Sequence, residues 1–266
     1  MRNNMSKISV IIPVHTTEND LVSVWLNKAI KSIENQSVRP DSVIVVRGTN
    51  EELKKELESF DFSSIKDIVK VVENTTGKED FASQVNFGVD HVDTEYFSIL
   101  EADDEYSKIW FSNVKQHINA YPENDIFLSL VVETDPFGNF LSFTNEPVWA
   151  KDFSEEIGII DENTIQSYPN FNTSGMVLKT EKYKEYGGFK SSMKLSFIYE
   201  FLLRMTHNSC RVMVIPKLGY KHTNQRDGSL FKGYKDFINP DEARFWMNLA
   251  KKEYFFTQDR NITYTT

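Results

Sequence analysis

Hydrophobic and polar positions in the first half of the chain alternate between two periods. Ile8–Val14 is a short, β-branched, uniformly apolar run closing on Pro13, the pattern of a strand buried on both faces. After a polar loop, Val22, Trp25, Leu26, Ala29, Ile30 and Ile33 fall at i, i+3, i+4, i+7, i+8 and i+11, the apolar stripe of an amphipathic helix. Pro40-Asp41 then turns the chain into a second buried strand over 43–46. Strand, helix and strand with short links form a βαβ unit, which builds a parallel sheet with a right-handed crossover.

The alternation continues with a charged helix over 51–60 and a third strand over 68–72. Phe81, Val85, Gly88, Val89 and Val92 mark a helix, and 96–100 a fourth strand. A further helix begins near Ser107, carries Trp110, Val114 and Ile118, and stops at Tyr121-Pro122 before a fifth strand over 126–132. Such regularity predicts the nucleotide-binding half of a doubly wound α/β fold. From 133 to 171 the periodicity fades into loops, short strands and a small helix, with Pro136-Phe137-Gly138 as a turn. A short helix over 180–186 closes on Gly187-Gly188. Ile198, Phe201, Leu202 and Met205 define another amphipathic helix, 211–215 a strand, and 228–233 a flexible loop. Asn239-Pro240-Asp241-Glu242 combines a cap, a first-position proline and an acidic third position, so a helix follows that buries Ala243, Trp246, Met247 and Ala250. Without repeats or a linker, the expectation is one domain over 1–234 with a helical extension over 235–266 packed on it.

At 266 residues the chain is long enough for one large α/β core. Its 30 basic against 39 acidic residues give a formal charge of −9, opposite to the field a nucleic-acid partner requires. Cys210 is the single cysteine, which excludes an intramolecular disulfide and a cysteine-built zinc site. The Ile8–Val14 run is too short for a signal sequence or a membrane span, so a reducing, cytoplasmic setting is the default.

Leu100-Glu101-Ala102-Asp103-Asp104-Glu105 places a cluster of carboxylates just outside the carboxyl edge of the fourth strand, where open α/β sheets bind ligands. Like charges so close repel unless a cation neutralises them. Hard oxygen ligands suit Mg²⁺ or Mn²⁺, which would bridge a diphosphate. The alternative is a solvated acidic turn capping the next helix. No G-x-G-x-x-G is present, and Gly77-Lys78 lacks the rest of a phosphate-binding loop, which excludes the common dinucleotide and nucleoside-triphosphate fingerprints.

Taken in order, these segments resemble a family 2 inverting glycosyltransferase of the GT-A fold over most of residues 7–230. The resemblance is carried by the opening strand ending Pro13-Val14-His15, by the helix ending Asn35-Gln36-Ser37, and by the segment from Asn74 to Asn86 and Gly88. It continues through Leu100-Glu101-Ala102-Asp103-Asp104, similar to the family's Asp-x-Asp motif, then Thr173-Ser174-Gly175 and Tyr186-Gly187-Gly188-Phe189. Gly219-Tyr220-Lys221-His222 with Ser229-Leu230 resembles its late histidine segment. The resemblance implies a Rossmann-like, mostly parallel sheet flanked by helices. It also implies transfer of a sugar from a nucleoside-diphosphate sugar to a glycan, lipid-linked or protein acceptor. Donor contacts are expected from Pro13, His15, Glu18, Arg47, Lys78, Asn86, Glu101, Ala102 and Asp103, and metal contacts from Asp103 with Glu101, Asp104 and His222. For His222 the alternative is a loop histidine packed on Tyr220.

Three departures from the family pattern matter. Glu101 replaces an Asp, and its longer arm shifts or loosens a metal contact. Arg47-Gly48-Thr49-Asn50 stands where the family carries an acidic segment that accepts a hydrogen bond from uracil; Arg only donates, which suits a different base or a phosphate. The acidic pair that supplies the family's base falls, in register with Arg204, on Phe197 and Ile198. Glu200 is the nearest carboxylate and the expected base, with a helix-surface ion pair to Arg204 as its alternative, and Asp135 and Glu133 held in reserve. Two other classes compete: a donor- or glycan-binding module without turnover, and a nucleotidylyltransferase. The latter would need a glycine-rich basic loop after the first strand, and Pro13-Val14-His15-Thr16-Thr17 is not one.

Overall fold

The regular first half folds as one parallel sheet unit. A computed structural model describes residues 6–15, 22–154, 156–224 and 239–257. Within them the order is β1 (Ile8–Val14), α1 (Val22–Glu34), β2 (Ser42–Arg47), α2 (Glu51–Ser59), β3 (Val69–Glu73), α3 (Phe81–Asp90), β4 (Tyr96–Ile99), β5 (Glu105–Tyr106), α4 (Trp110–Ala120) and β6 (Ile126–Thr134). There follow β7 (Phe140–Thr144), β8 (Asp152–Phe153), β9 (Gly158–Ile160), α5 (Glu162–Ser167), β10 (Val177–Lys179), α6 (Thr180–Glu185), α7 (Phe197–His207), β11 (Val212–Thr223) and α8 (Pro240–Glu253). The expected loop over 228–233, and with it Ser229-Leu230, lies outside the described residues.

The fold is α/β, with a largely parallel sheet in the order β3-β2-β1-β4-β10-β6-β11-β9-β8. β1, β2, β3 and β4 run parallel, as the βαβ reading requires. Strand order reverses at β1, flanked by β2 and β4, so the carboxyl ends of β1 and β4 border the crevice where such sheets bind ligands. The period-2 alternation of β1 separates two cores. Val10, Ile12 and Val14 pack with α1 and with Trp110 and Phe111 of α4, while Ile11 joins Val85 and Val89 of α3 on the opposite face.

Two features exceed the sequence reading. β10 is antiparallel and inserts between β4 and β6, pairing only at 96–98 and 126–127 and leaving the carboxyl ends of those strands apart. β11 runs far beyond the expected 211–215, because register shifts between Ile215, Leu218 and Tyr220 carry it past Pro216, which has no N–H to donate. Its second half pairs with both β6 and β5.

α8 docks on α7 but buries less than its pattern suggests. Ala250 is fully covered, whereas Ala243, Trp246 and Met247 are half-buried. Phe245, Phe255 and Phe256 are exposed, so they are not core residues. Among the described residues no helix is long and apolar enough to cross a membrane.

β11 passes closely over α4 at Gly219. A Cβ there would stand 2.4 Å from Trp110 Cε3 and 2.5 Å from Ser129 Cβ. Both neighbours are packed in place, so Gly219→Ala should destabilise by about 1–3 kcal/mol, the usual cost of overpacking. A urea unfolding curve with a lower midpoint and an unchanged slope is the expected result.

Candidate functional site

β4 ends at Ile99; the N–H of the following Leu100 still bonds to Ile11 O at 2.9 Å, and the next residues enter the crevice as an acidic run. Glu101 is held by both ends: its N–H donates to the Tyr220 hydroxyl at 2.9 Å, and its Oε1 accepts from Ser174 Oγ at 2.7 Å. Asp104 is fully buried; its Oδ1 accepts from Thr223 N–H at 2.7 Å and its Oδ2 from His222 Nδ1 at 2.8 Å. Thr223 Oγ1 donates to Asp103 O at 2.9 Å. The second half of β11 is therefore clamped onto the residues that follow β4, with Lys221 pairing Glu105 at 3.0 Å.

The electrostatics of this group are those of crowded carboxylates. Burial, and then the Asp104 charge, push Glu101 up to about 7. Burial raises Asp104 too, although His222 pulls against it. For His222 burial works to lower the value, but the charge and hydrogen bond of Asp104, with Glu101 and Asp103 behind them, raise it to about 10. One ligand atom from each of Glu101, Asp104 and His222 lies within 4.8 Å of the others, a group able to hold a cation. Asp103, expected first among the ligands, lies outside this group.

Asp103 instead lines a narrow cleft with Pro13, His15, Glu101 and Ala102, closed by Trp25 and Phe81. Five of the expected donor residues thus share one cleft at the β1–β4 crevice. Glu18 lies outside the described residues. Arg47 is a correction: it is buried, ion-paired with Glu73, and donates to Gly48 O at 2.8 Å, so its fork is committed to the protein. Asn86 is a second correction. Its amide donates to Phe189 O at 2.8 Å and accepts from Tyr183 Oη at 2.7 Å and Phe189 N–H at 3.0 Å, which ties α3 to the Gly187-Gly188 turn. Lys78 is exposed, and neither cavity lining at the site includes it.

Glu101 and Phe81 are shared with a second, larger cavity of about 520 Å³. Its walls include Glu133, Ser142, Asn172, Ile198, His222 and Asn224, and Met247 of α8 reaches it. Tyr199 also lines it, and its buried hydroxyl has no protein partner among the described residues. Ser174, Tyr220 and Thr223 are the functional positions that sequence reasoning did not single out. Ser174 and Tyr220 lie in the Thr173-Ser174-Gly175 and late-histidine segments and Thr223 directly follows the latter, yet no local pattern marks a residue whose work is to bond a carboxylate more than seventy positions away.

Glu200 is neither the expected base nor a surface pair. It is fully buried, bonded through Oε1 to Arg204 Nε at 2.8 Å and Lys190 Nζ at 3.0 Å, and through Oε2 to Arg204 Nη2 at 2.9 Å. Arg204 in turn donates to Tyr186 O and Gly188 O. Gly187 and Gly188 hold φ of 93° and 72°, left-handed values natural to glycine, and so bring those carbonyls round to the guanidinium. Glu200 anchors the turn and does not line the cavity. Asp135 is spent likewise, accepting from the N–H groups of Phe137 and Asn139 at the β6–β7 turn.

The model of glycosyl transferase family 2 matches residues 9–183. No curated protein matches the sequence. Among solved structures, S. aureus TarS 1–349 in complex with UDP-GlcNAc superposes with a TM-score of 0.70 at 16% identity, over 96% of this chain and 68% of that one. The same fragment with UDP gives 0.68 at 15% identity, over 96% and 67%. Against a longer TarS structure the score is 0.65 and the chain spans 40% of its length. At these identities the likeness shows a shared fold.

Removing the Glu200 charge would leave Arg204 and Lys190 buried without their counter-ion. Glu200→Gln should cost about 3 kcal/mol or more. A lower midpoint in thermal or urea unfolding checks this. Any loss of activity should follow the fraction unfolded.

Proposed function

The chain belongs to glycosyl transferase family 2, and we propose that it transfers a sugar from a nucleoside diphosphate to a hydroxyl acceptor with a divalent cation at Glu101, Asp104 and His222. The GT-A fold and the family assignment place it among the glycosyltransferases; the cation, donor and acceptor are the proposed part. One observation carries the reading. The narrow cleft and the large cavity meet at Glu101, so a donor in the first presents its reacting end to an acceptor in the second.

The donor set tests whether a cation fits. Carboxylates that repel one another, one of them raised to about 7, are stabilised by added positive charge. An imidazole beside two carboxylates favours Mn²⁺ over Mg²⁺, which prefers oxygen throughout. When bound, such a cation supplies Lewis-acid neutralisation of the departing diphosphate. Of the protein's own groups, Ser174 and Tyr220 fix Glu101, Thr223 fixes Asp104, and Asp103 borders the donor cleft. TarS was crystallised with UDP and UDP-GlcNAc, which supports a nucleotide-sugar donor here. With Arg47 committed to Glu73, reading of the base falls to other groups. The acceptor cavity is lined by aromatic and amide side chains, among them Tyr168, Asn170 and Asn172, a lining suited to a sugar or other polyol.

A specific observation favours a second reading, a donor-binding module without turnover: Phe197 and Ile198 occupy the positions of the family's acidic pair, and Glu200 is sealed. Release of nucleoside diphosphate from a nucleotide sugar separates the two.

Binding is checked by thermal shift with nucleoside diphosphates. At a hundred times its Kd, UDP with Mn²⁺ should raise the midpoint by about 5 °C. UDP with EDTA should give a far smaller rise, and Glu101→Gln should abolish the difference. An identical shift with and without Mn²⁺ would remove the cation from the proposal.

A further inference from the structure

Transfer to a hydroxyl needs a group that takes its proton as the new bond forms. The expected candidate, Glu200, is buried under two cations. At the start of α7 the cavity wall is made by Leu195, Ile198 and Tyr199, none of which is a base at neutral pH. The described lining holds two carboxylates, Glu101 and Glu133. Glu101 stands in the group with Asp104 and His222.

Glu133 sits near the end of β6, in register with His222 of the parallel strand β11. Register neighbours in a sheet project from the same face, which sets Glu133 beside the acidic group and on the acceptor side of it. Asn224 Nδ2 donates to its Oε2 at 2.9 Å and Ser142 Oγ at 3.4 Å. Both donors are neutral and both fall on one oxygen, so the carboxylate is oriented without an ion pair. Oε1 has no protein partner among the described residues. Glu133 is half-buried, open enough to meet a substrate.

We propose that Glu133 is the catalytic base. Its Oε1 takes the proton from the acceptor hydroxyl while that oxygen bonds to the anomeric carbon. The bond from that carbon to the diphosphate oxygen breaks, and its electron pair leaves with the diphosphate. The acceptor therefore approaches from the β6–β7 side, opposite the α7 wall. This rests on the transferase reading above.

The test uses the full chain with Mn²⁺ and a panel of UDP-, GDP- and ADP-sugars, water as acceptor, and nucleoside diphosphate release as the signal. Glu133→Gln should slow release about 100-fold or more, with an unchanged unfolding midpoint and unchanged nucleotide binding. Azide is a nucleophile that carries no proton to remove, so sodium azide should restore release in the variant and yield the glycosyl azide. A variant within threefold of the parent, or a slowed one that azide does not restore, overturns the assignment. A parent chain that binds nucleotide yet releases none, with water or azide, overturns the transferase reading itself. That failure appears before any variant is made.

Discussion

Three carboxylates, at 101, 103 and 104, stand at the carboxyl end of one buried strand, and repulsion among them must be opposed by donors from elsewhere in the chain. Those donors come from more than seventy residues downstream: Ser174 ahead of β10, then Tyr220, His222 and Thr223 on β11. Supplying them dictates the shape of β11. It must outrun its neighbours, shift register beyond Pro216, and slide over Trp110 with no side chain at Gly219. The N-terminal parallel half and the C-terminal half are thus joined by the same hydrogen bonds that organise the acidic group. Loss of order on one side should reach the other.

The crevice itself is a consequence of β10 being short. An antiparallel strand between β4 and β6 separates them by two strand spacings, about 10 Å. Because β10 has three residues and meets only the first two of β6, the space beside the rest of β6 stays open. Residues 173–176 and the curled end of β11 enter that gap from either side, and Glu101 becomes the boundary between two cavities. A fully paired parallel sheet would leave no such room between β4 and β6.

The parts of the fold that were legible in the sequence are those where burial is set by neighbouring turns or strands. β1, α1, β2, α3 and β4 print their periods because each buries a regular face. The acidic run was legible because a strand end is a position that sequence order alone defines. Other features depend on distant partners. β10 has three residues, too few to show a period, and β11 is broken by Pro216-Lys217. Arg47 and Asn86 look like ligand-binding residues, yet their partners, Glu73 and Phe189, come from other elements. Glu200 lies opposite the apolar stripe of its own helix, which predicts a surface; the turn at 186–190 covers that surface and is invisible to helical periodicity.

Glu200 and Glu133 show how placement assigns opposite roles to the same side chain. Around Glu200 both oxygens are taken by cationic donors in a site closed to water, and its charge is the counter-ion of Arg204 and Lys190. What the group contributes is rigidity: it binds the Gly187-Gly188 turn to α7 and holds Ile198 and Tyr199 in the cavity wall. Around Glu133 two neutral donors aim one oxygen and leave the other without a protein partner among the described residues, so a proton can arrive with no buried charge left behind. An acceptor hydroxyl needs both conditions at once, a wall that does not yield and a carboxylate that does. Chemistry is thereby assigned to β6 and support to α7, the reverse of what the helix's Glu-Arg spacing suggests.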